Sequence, residues 1–268
     1  MNVLFDITAK PVIAHRGGRA RGPENTIQAM EQGVAAGADA IELDVHRCAS
    51  GEIVVIHDDT VDRTTDGSGA VAGMTLADLR SVDAGARFAG AATPHAVRCQ
   101  IPTLAEVLEA FPRTPLIIEL KTPAASTETR ALIERHRAVK RCLVDSFHSA
   151  ALEVFRGSGI ARGPSRDGVA RLVARSFVRT RTRLSVDLDA ICIPRNYRGM
   201  PLPVGRISAL LRSSGKPTHV WTVNDPEEAR ELWKIGVSGI ITDDVAAIIQ
   251  ARNELQSGVT RVGLEPTT

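Results

Sequence analysis

The chain has 268 residues, 43% of them hydrophobic and 24% charged, with 33 Lys and Arg against 31 Asp and Glu for a formal charge of +2. That is enough apolar material for one large core or two small ones. The mild charge and the lack of a basic patch interleaved with stacking rings argue against a nucleic-acid partner. The start, "MNVLFDITAKPVIAHRGG", has no basic segment followed by a long apolar run. No later run approaches the roughly 20 apolar residues of a membrane span, so neither secretion nor stable membrane insertion is expected. Cys48, Cys99, Cys142 and Cys192 have no paired spacing that would suggest zinc or a redox motif, and read as reduced thiols of a cytoplasmic protein.

In chain order, strand-length apolar runs alternate with segments of helical periodicity. "PVIAH" (11–15) is followed by the helical "NTIQAMEQGVAAG" with Pro23 just ahead, then by "AIELDV" (40–45) and "EIVVIH" (52–57). "TLAEVLEAF", opened by Thr103 after Pro102, leads to "PLIIEL" (115–120), and "TETRALIERHRAV" to "CLVDSF" (142–147). "GIARG" (159–163), the weakest strand signal, precedes "GVARLVARSFV" and "DAICIP" (189–194). "VGRISALLRSSG" leads to "THVWTV" (218–223), and "DPEEARELWKIG" to "SGIIT" (238–242). Setting 52–57 aside, eight alternating units predict an α/β fold closed into a (β/α)8 TIM barrel, in preference to an open doubly wound sheet. The barrel is expected over 11–250 as a single domain, with an insertion at about 60–100. The tail "NELQSGVTRVGLEPTT" shows no periodicity, so 251–268 are expected to be disordered.

The run 52–57 follows its predecessor after only about six residues, too few for a parallel crossover, so the two form an antiparallel hairpin turning at Ser50 and Gly51. Cross-strand partners then sum to about 100, give or take one, which sets His57 opposite position 42, 43 or 44. Glu42 and Asp44, at i and i+2, share a face, and His57 can return beside them. His15 and Arg16 end the first strand, and Glu119 and Lys121, again i and i+2, end another. In a barrel these ends open on one rim. Three clustered carboxylates would raise one another's pKa unless a cation sat among them, and oxygen-only ligands favour a hard divalent ion, Mg²⁺ or Ca²⁺. Two histidines beside it are suited to proton transfer, and Arg16 with Lys121 to neutralising an anionic substrate such as a phosphate.

Together "AHRGGRARGPENT", "IELDV", "VVIHDDTVDRTTDGSG", "IPTLAEVLE", "IELK", "WTVN" and "GIITD" resemble the glycerophosphodiester phosphodiesterase family, in order and over roughly residues 11 to 245. The resemblance implies a phosphodiesterase on a TIM barrel, with His15 and His57 as the acid/base pair and Glu42, Asp44 and Glu119 as ligands of the divalent cation. It implies that Arg16 and Lys121 bind phosphate, that the substrate is a small-molecule glycerophosphodiester, and that the segment from Thr60 to about Gln100 overhangs the rim at the glycerol end. "ICIPRNY" departs from the pattern, with Ile193 and Pro194 where many relatives carry Asn-Pro or Asn-Leu.

Several residues keep two readings. Glu24 and Asn25 in "PENT" are either caps for the following helix or substrate contacts. Phe147 and Trp221, at strand ends, are either core or substrate wall. Asp58 reads as a hairpin residue or a support behind the site, and His46, His95, His136, His148 and His219 as structural or exposed. Arg171, Arg175 and Arg179, at i, i+4 and i+8, read as one solvated helix face in preference to an anionic-membrane surface. An alternative activity with the same chemistry is headgroup release from lysophospholipids, which requires an apolar groove at the rim or a membrane-facing surface. A non-catalytic metal- or phosphate-binding barrel would be expected to have lost a histidine or a carboxylate, and none is missing.

Overall fold

The computed structural model describes residues 2–88, 98–178 and 187–258. Its strands are β1 (Val12–Ala14), β2 (Ala40–Arg47), β3 (Ile53–Val55), β4 (Leu116–Leu120), β5 (Cys142–Asp145), β6 (Ala161–Arg162), β7 (Ile191–Pro194), β8 (Asn196–Tyr197), β9 (Met200–Pro201), β10 (Thr218–Trp221) and β11 (Gly239–Thr242). Its helices are α1 (Ile27–Ala35), α2 (Leu76–Ser81), α3 (Leu104–Ala110), α4 (Ser126–Arg135), α5 (Ser149–Glu153), α6 (Arg166–Ser176), α7 (Val204–Arg212), α8 (Pro226–Lys234) and α9 (Val245–Ser257).

Eight parallel strands follow one another in the order β6-β5-β4-β2-β1-β11-β10-β7, so that the last strand of the chain pairs with the first. The two ends of this path also meet, since the Asp189 backbone N–H donates to the Arg162 carbonyl at 2.8 Å. The fold is therefore the eight-stranded α/β barrel anticipated from the alternation. The weak fifth run is present but only two residues long, as its flanking glycines and Pro164 allow. Helices α2 and α5 and the β8–β9 hairpin were not anticipated; each is at most six residues long, too short to show a hydrophobic period.

Strand alternation sorts the core into layers. Val12, Ala14, Ile41, Leu43, Leu116 and Ile118 face outward into two clusters shared with the helices. Ile13, Ala40, Ile117, Leu143, Ala190 and Ile241 face the barrel axis and pack with Leu4 from an N-terminal turn. One step further along the same inward rows stand His15, Glu42, Glu119, Asp145, Cys192 and Asp243, so an apolar floor carries a polar layer. A third cluster, with Val54, Ile56, Val61, Val71, Leu79 and Ile101 among its members, anchors the insertion on the hairpin.

The tail expectation needs correction. Helix α9 continues through Ser257 and ends at Gly258 with φ 70°. Ile248 and Ala251 are buried, Leu255 packs against the same cluster, and Glu254 pairs with Arg230 of α8 at 2.5 Å. The apolar line 248, 251, 255 does have helical spacing, but the polar Asn253, Glu254 and Gln256 obscured it. Residues 259–268 lie outside the described residues, as do His95 and Arg179. None of the four cysteines is in a disulfide, and among the described residues no helix is long and apolar enough to cross a membrane.

Candidate active site

The first strand delivers His15 and Arg16 through a tight turn, His15–Gly17, packed against α1. The contact is so close that a Cβ on Gly33 would stand 2.4 Å from the Gly17 carbonyl, and one on Gly17 2.8 Å from the Met30 nitrogen. Arg16 itself has φ 51°, a left-handed conformation costly for a residue with a Cβ. It is held there from both ends: its N–H donates to Glu42 Oε2 at 3.0 Å and its Nη1 to Glu24 Oε1 at 2.7 Å. Its Nε lies 3.3 Å from Asp44 Oδ2 without hydrogen-bond alignment, so that N–H is buried and unpaired.

The hairpin has the expected register, with Val45 opposite Val55 and Arg47 opposite Ile53. Continued two residues further it would set His57 opposite Leu43, on the face away from Glu42 and Asp44. Instead the ladder ends after the Ile56 N–H bonds the Asp44 carbonyl, and a bend at 57–59 brings His57 into the cavity. His46 steadies the bend, with Nε2 3.2 Å from the His57 carbonyl.

The cavity is lined by His15, Arg16, Glu42, Asp44, His57, Glu119, Lys121, Phe147 and Trp221, together with Ile117, Asp145, Cys192 and Ile241. Nine of the candidate residues from the sequence therefore meet in one place. Glu24 stands behind Arg16 and lines a neighbouring groove instead. It is not a helix cap: the cap of α1 is Thr26, whose hydroxyl accepts from the Ala29 N–H. Asn25 is not one either. At φ 60°, which Asn tolerates, it donates to Asp44 Oδ2 at 2.9 Å and accepts from the Asp44 N–H at 3.3 Å. Phe147 is 37% exposed and lies under Arg166, whose guanidinium carbon is 5.9 Å from the ring centroid. In "ICIPRNY" it is Cys192 that reaches the cavity, while Ile193 faces outward into the core.

Glu42, Asp44 and Glu119 each offer one carboxylate oxygen, all within 4.8 Å of one another. Burial and the charges of Asp44 and Glu119 push the Glu42 carboxyl well above its ordinary value. Burial would do the same to Asp44, but Lys121, Arg16, His57 and Asn25 outweigh it and hold that group low. Lys121 Nζ spans Glu119 at 2.9 Å and Asp44 at 3.3 Å. A trio of oxygens with residual repulsion suits a hard divalent cation, which takes six or more oxygen ligands and so leaves positions for substrate.

Each histidine has a carboxylate on Nδ1. His15 Nδ1 is 2.6 Å from Asp243 Oδ1, and Asn224 donates to the other Asp243 oxygen at 3.0 Å. His57 Nδ1 is 2.6 Å from Asp58 Oδ1, and Arg63 holds Asp58 in turn. Sequence reasoning gave Asp243, Asn224, Arg63, Asp145 and Cys192 no role. The available signal was positional: Asp243 ends the "GIITD" strand on the inward row of Ile241, as His15 does on that of Ile13.

A family model described as the glycerophosphoryl diester phosphodiesterase family matches residues 15–247. A glycerophosphodiester phosphodiesterase of Caldanaerobacter subterraneus subsp. tengcongensis is 31% identical over 245 residues, covering 89% of this chain and 96% of the relative. A phosphodiesterase of Oleispira antarctica, solved with its product sn-glycerol-3-phosphate, is 28% identical with a TM-score of 0.74, over 91% of this chain and 96% of that one. A glycerophosphodiester phosphodiesterase of Agrobacterium tumefaciens is likewise 28% identical, with a TM-score of 0.70, over 90% and 99%. With the family's pattern matched across nearly the whole barrel, and its rim carrying paired imidazoles over a carboxylate cluster, the chain belongs to the glycerophosphoryl diester phosphodiesterase family.

Proposed function

We propose that this enzyme hydrolyses small-molecule glycerophosphodiesters to sn-glycerol 3-phosphate and an alcohol, using His15 and His57 as a proton-transferring pair above a divalent-cation site. The observation that carries the reading is the joint placement of two carboxylate-backed imidazoles and three converging carboxylates in one cavity. The product held by the Oleispira antarctica relative supports the glycerol 3-phosphate end of the substrate.

Glu42, Asp44 and Glu119 would hold Mg²⁺ or Ca²⁺, which supplies Lewis-acid polarisation of the phosphoryl oxygens when bound. Arg16, with its unpaired Nε–H, and Lys121 bind and orient the phosphate anion. With Nδ1 of each imidazole committed to an aspartate, Nε2 is the nitrogen left to exchange a proton in the cavity. One ring, neutral, accepts the proton of the attacking hydroxyl, while the other, charged, protonates the leaving alcohol. Phe147 and Trp221, which line the cavity, serve as a wall for the substrate. Four cysteines without a disulfide fit a reducing, cytoplasmic setting.

The test is an assay of purified protein against glycerophosphocholine, glycerophosphoethanolamine and lysophospholipids, with and without chelator. Turnover of the glycerophosphodiesters that chelator abolishes is expected. Exclusive turnover of lysophospholipids would move the activity to the lipid class, and no turnover of any diester would overturn the reading.

A further inference from the structure

We propose that Arg63, which belongs to the insertion and not to the barrel, is a positioning residue that holds His57 and Arg16 in mutual register; the inference rests on the hydrolytic reading above. Its guanidinium bridges two carboxylates at once. Nε and Nη2 donate to Asp58 at 2.6 and 3.2 Å, and Nη1 and Nη2 donate to Glu24 at 3.0 and 2.7 Å. Asp58 receives His57 Nδ1 at 2.6 Å, and Glu24 receives Arg16 Nη1 at 2.7 Å. One planar fork therefore links the two carboxylates that orient an imidazole on one side of the cavity and a phosphate-facing guanidinium on the other. Arg63 is not among the residues lining that cavity, so it acts through its partners.

The segment that carries Arg63 is built to aim it. Residues 61–65 form a single turn closed by the Thr65 N–H on the Val61 carbonyl at 3.1 Å and by the Thr65 hydroxyl on the same carbonyl at 2.9 Å. Val61 and Thr65 are fully buried, and Arg87 Nε clamps the Thr65 carbonyl at 2.7 Å. The turn is tied to the return segment by the Val61 N–H on the Gly69 carbonyl and by the pairing of Thr60 with Ala70. Asp58 and His57, by contrast, have side chains 27% and 31% exposed and sit on a bend. Without the fork, nothing else in this set of bonds holds Asp58 against His57 Nδ1, and the imidazole loses the partner that fixes its tautomer. A lysine cannot replace the fork, because a single ammonium lacks the planar array of donors that meets both carboxylates.

The experiment compares Arg63→Ala, Arg63→Lys, His57→Ala and the double variant Arg63→Ala/His57→Ala on glycerophosphocholine with saturating Mg²⁺ or Ca²⁺, and reads the ring nitrogens of His57 by ¹⁵N NMR. Arg63→Ala is expected to lower kcat by about 10- to 100-fold and to raise KM through Arg16. In the His57→Ala background it should cost no further kcat, while the KM effect persists. The His57 ring should change from a single Nδ1–H tautomer to a mixture. Arg63→Lys keeps the charge and guards against a folding failure of the alanine variant; it should melt like the parent and still fall short of parental kcat. Unchanged kcat and tautomer in either Arg63 variant, or an equal further loss in the His57→Ala background, overturns the proposal. Full turnover by His57→Ala alone instead removes His57 from the proton-transferring pair on which the inference rests, and the NMR arm, which needs no activity, tells that failure from a failure of the fork.

Discussion

His15 Nδ1 and Asp243 Oδ1 lie 2.6 Å apart although 228 residues separate them in the chain. The closure of the barrel brings them together: β1 pairs with β11 in the register Val12 to Ile240 and Ala14 to Thr242, and one step further sets 15 beside 243. Burial would raise the Asp243 carboxyl, but the bond from His15 outweighs it, with Asn224 and Arg19 helping, and the group is held down at about 2. It is therefore a carboxylate across the working pH range, able to keep the proton of a neutral His15 on Nδ1.

Asp243→Asn should consequently present an amide donor where an acceptor is needed and drive the His15 proton to Nε2, the nitrogen that faces the reaction. A fall in kcat on the order of 10²-fold or more is expected, with KM changed far less. The pH profile of kcat/KM in the parent should be bell-shaped, because one imidazole must be neutral and the other charged. A flat profile between pH 5 and 9, or an Asp243→Asn variant with parental kcat, would remove the pair from the chemistry.

Metal binding should be visible without turnover. Glu42 is pushed up by burial and by Asp44 and Glu119, so a cation entering the cluster competes with a proton there. Calorimetric titration with Mg²⁺ or Ca²⁺ in two buffers of different ionisation enthalpy should reveal proton release, weaken as pH falls, and vanish in Asp44→Ala. Saturable binding by Asp44→Ala with parental affinity would show that the ion sits elsewhere.

Stability should respond to pH in two opposite ways. Glu24 and Asp58 are each lowered to about 2, Asp58 chiefly by its bond from Arg63, Glu24 because Arg63 and Arg16 outweigh its burial. A depressed carboxyl contributes stability that is full above its unfolded value, near 4, and is lost as pH falls toward 2. Asp145 runs the other way, since burial and then Glu119 push it up to about 8. Its contribution is full below about 4 and is lost as pH rises through about 8. Asp145→Asn should therefore raise the melting midpoint of the metal-free protein at pH 8 by at least about 3 °C, since a tenfold change in proton affinity is about 1.4 kcal/mol and 1 kcal/mol moves a domain of this size by about 2–4 °C. The gain should disappear at pH 4. Scanning calorimetry at the two pH values decides it, and equal shifts at both would contradict the assignment.

The barrel was legible because most of its strands are short apolar runs and most of its longer helices carry their own period, both local signals. The convergence of Glu42 with Asp44 and of Glu119 with Lys121 was legible for the same reason, as pairs at i and i+2 on strands that end on one rim. His57 was placed by the turn at Ser50 and Gly51, though the bend that delivers it lies beyond the ladder and leaves no mark in hairpin arithmetic. What stayed hidden were the partners behind the site. Arg63 meets Glu24 across 39 residues and Asp243 meets His15 across 228, and nothing in the spacing of either residue points to its mate. Asn25 and Glu24 were misleading because a polar pair ahead of a helix has a local explanation, capping, that Thr26 in fact supplies.

The cut itself should be confined to diesters. Among the described residues lining the cavity there is no serine, and the one thiol, Cys192, is pushed well above its ordinary value by burial and by Asp145, so it is not a thiolate able to attack phosphorus. The nucleophile is then water or a hydroxyl of the substrate. Glycerol carries a hydroxyl next to its phosphorylated carbon, which can attack first to give a cyclic phosphate that water opens in a second step. Either route ends in sn-glycerol 3-phosphate and needs an alcohol leaving group for the charged imidazole to protonate. A monoester dianion offers no second alcohol beyond glycerol itself and brings extra negative charge against Glu42, Asp44 and Glu119. Glycerophosphocholine and glycerophosphoethanolamine should be cleaved with release of choline or ethanolamine, and glycerol 3-phosphate should accumulate undegraded. Following the reaction by ³¹P NMR checks this directly: the diester signal should give way to that of glycerol 3-phosphate, with a transient cyclic species if the substrate hydroxyl attacks. Release of inorganic phosphate from glycerol 3-phosphate at a comparable rate would show that the cavity does not discriminate by charge.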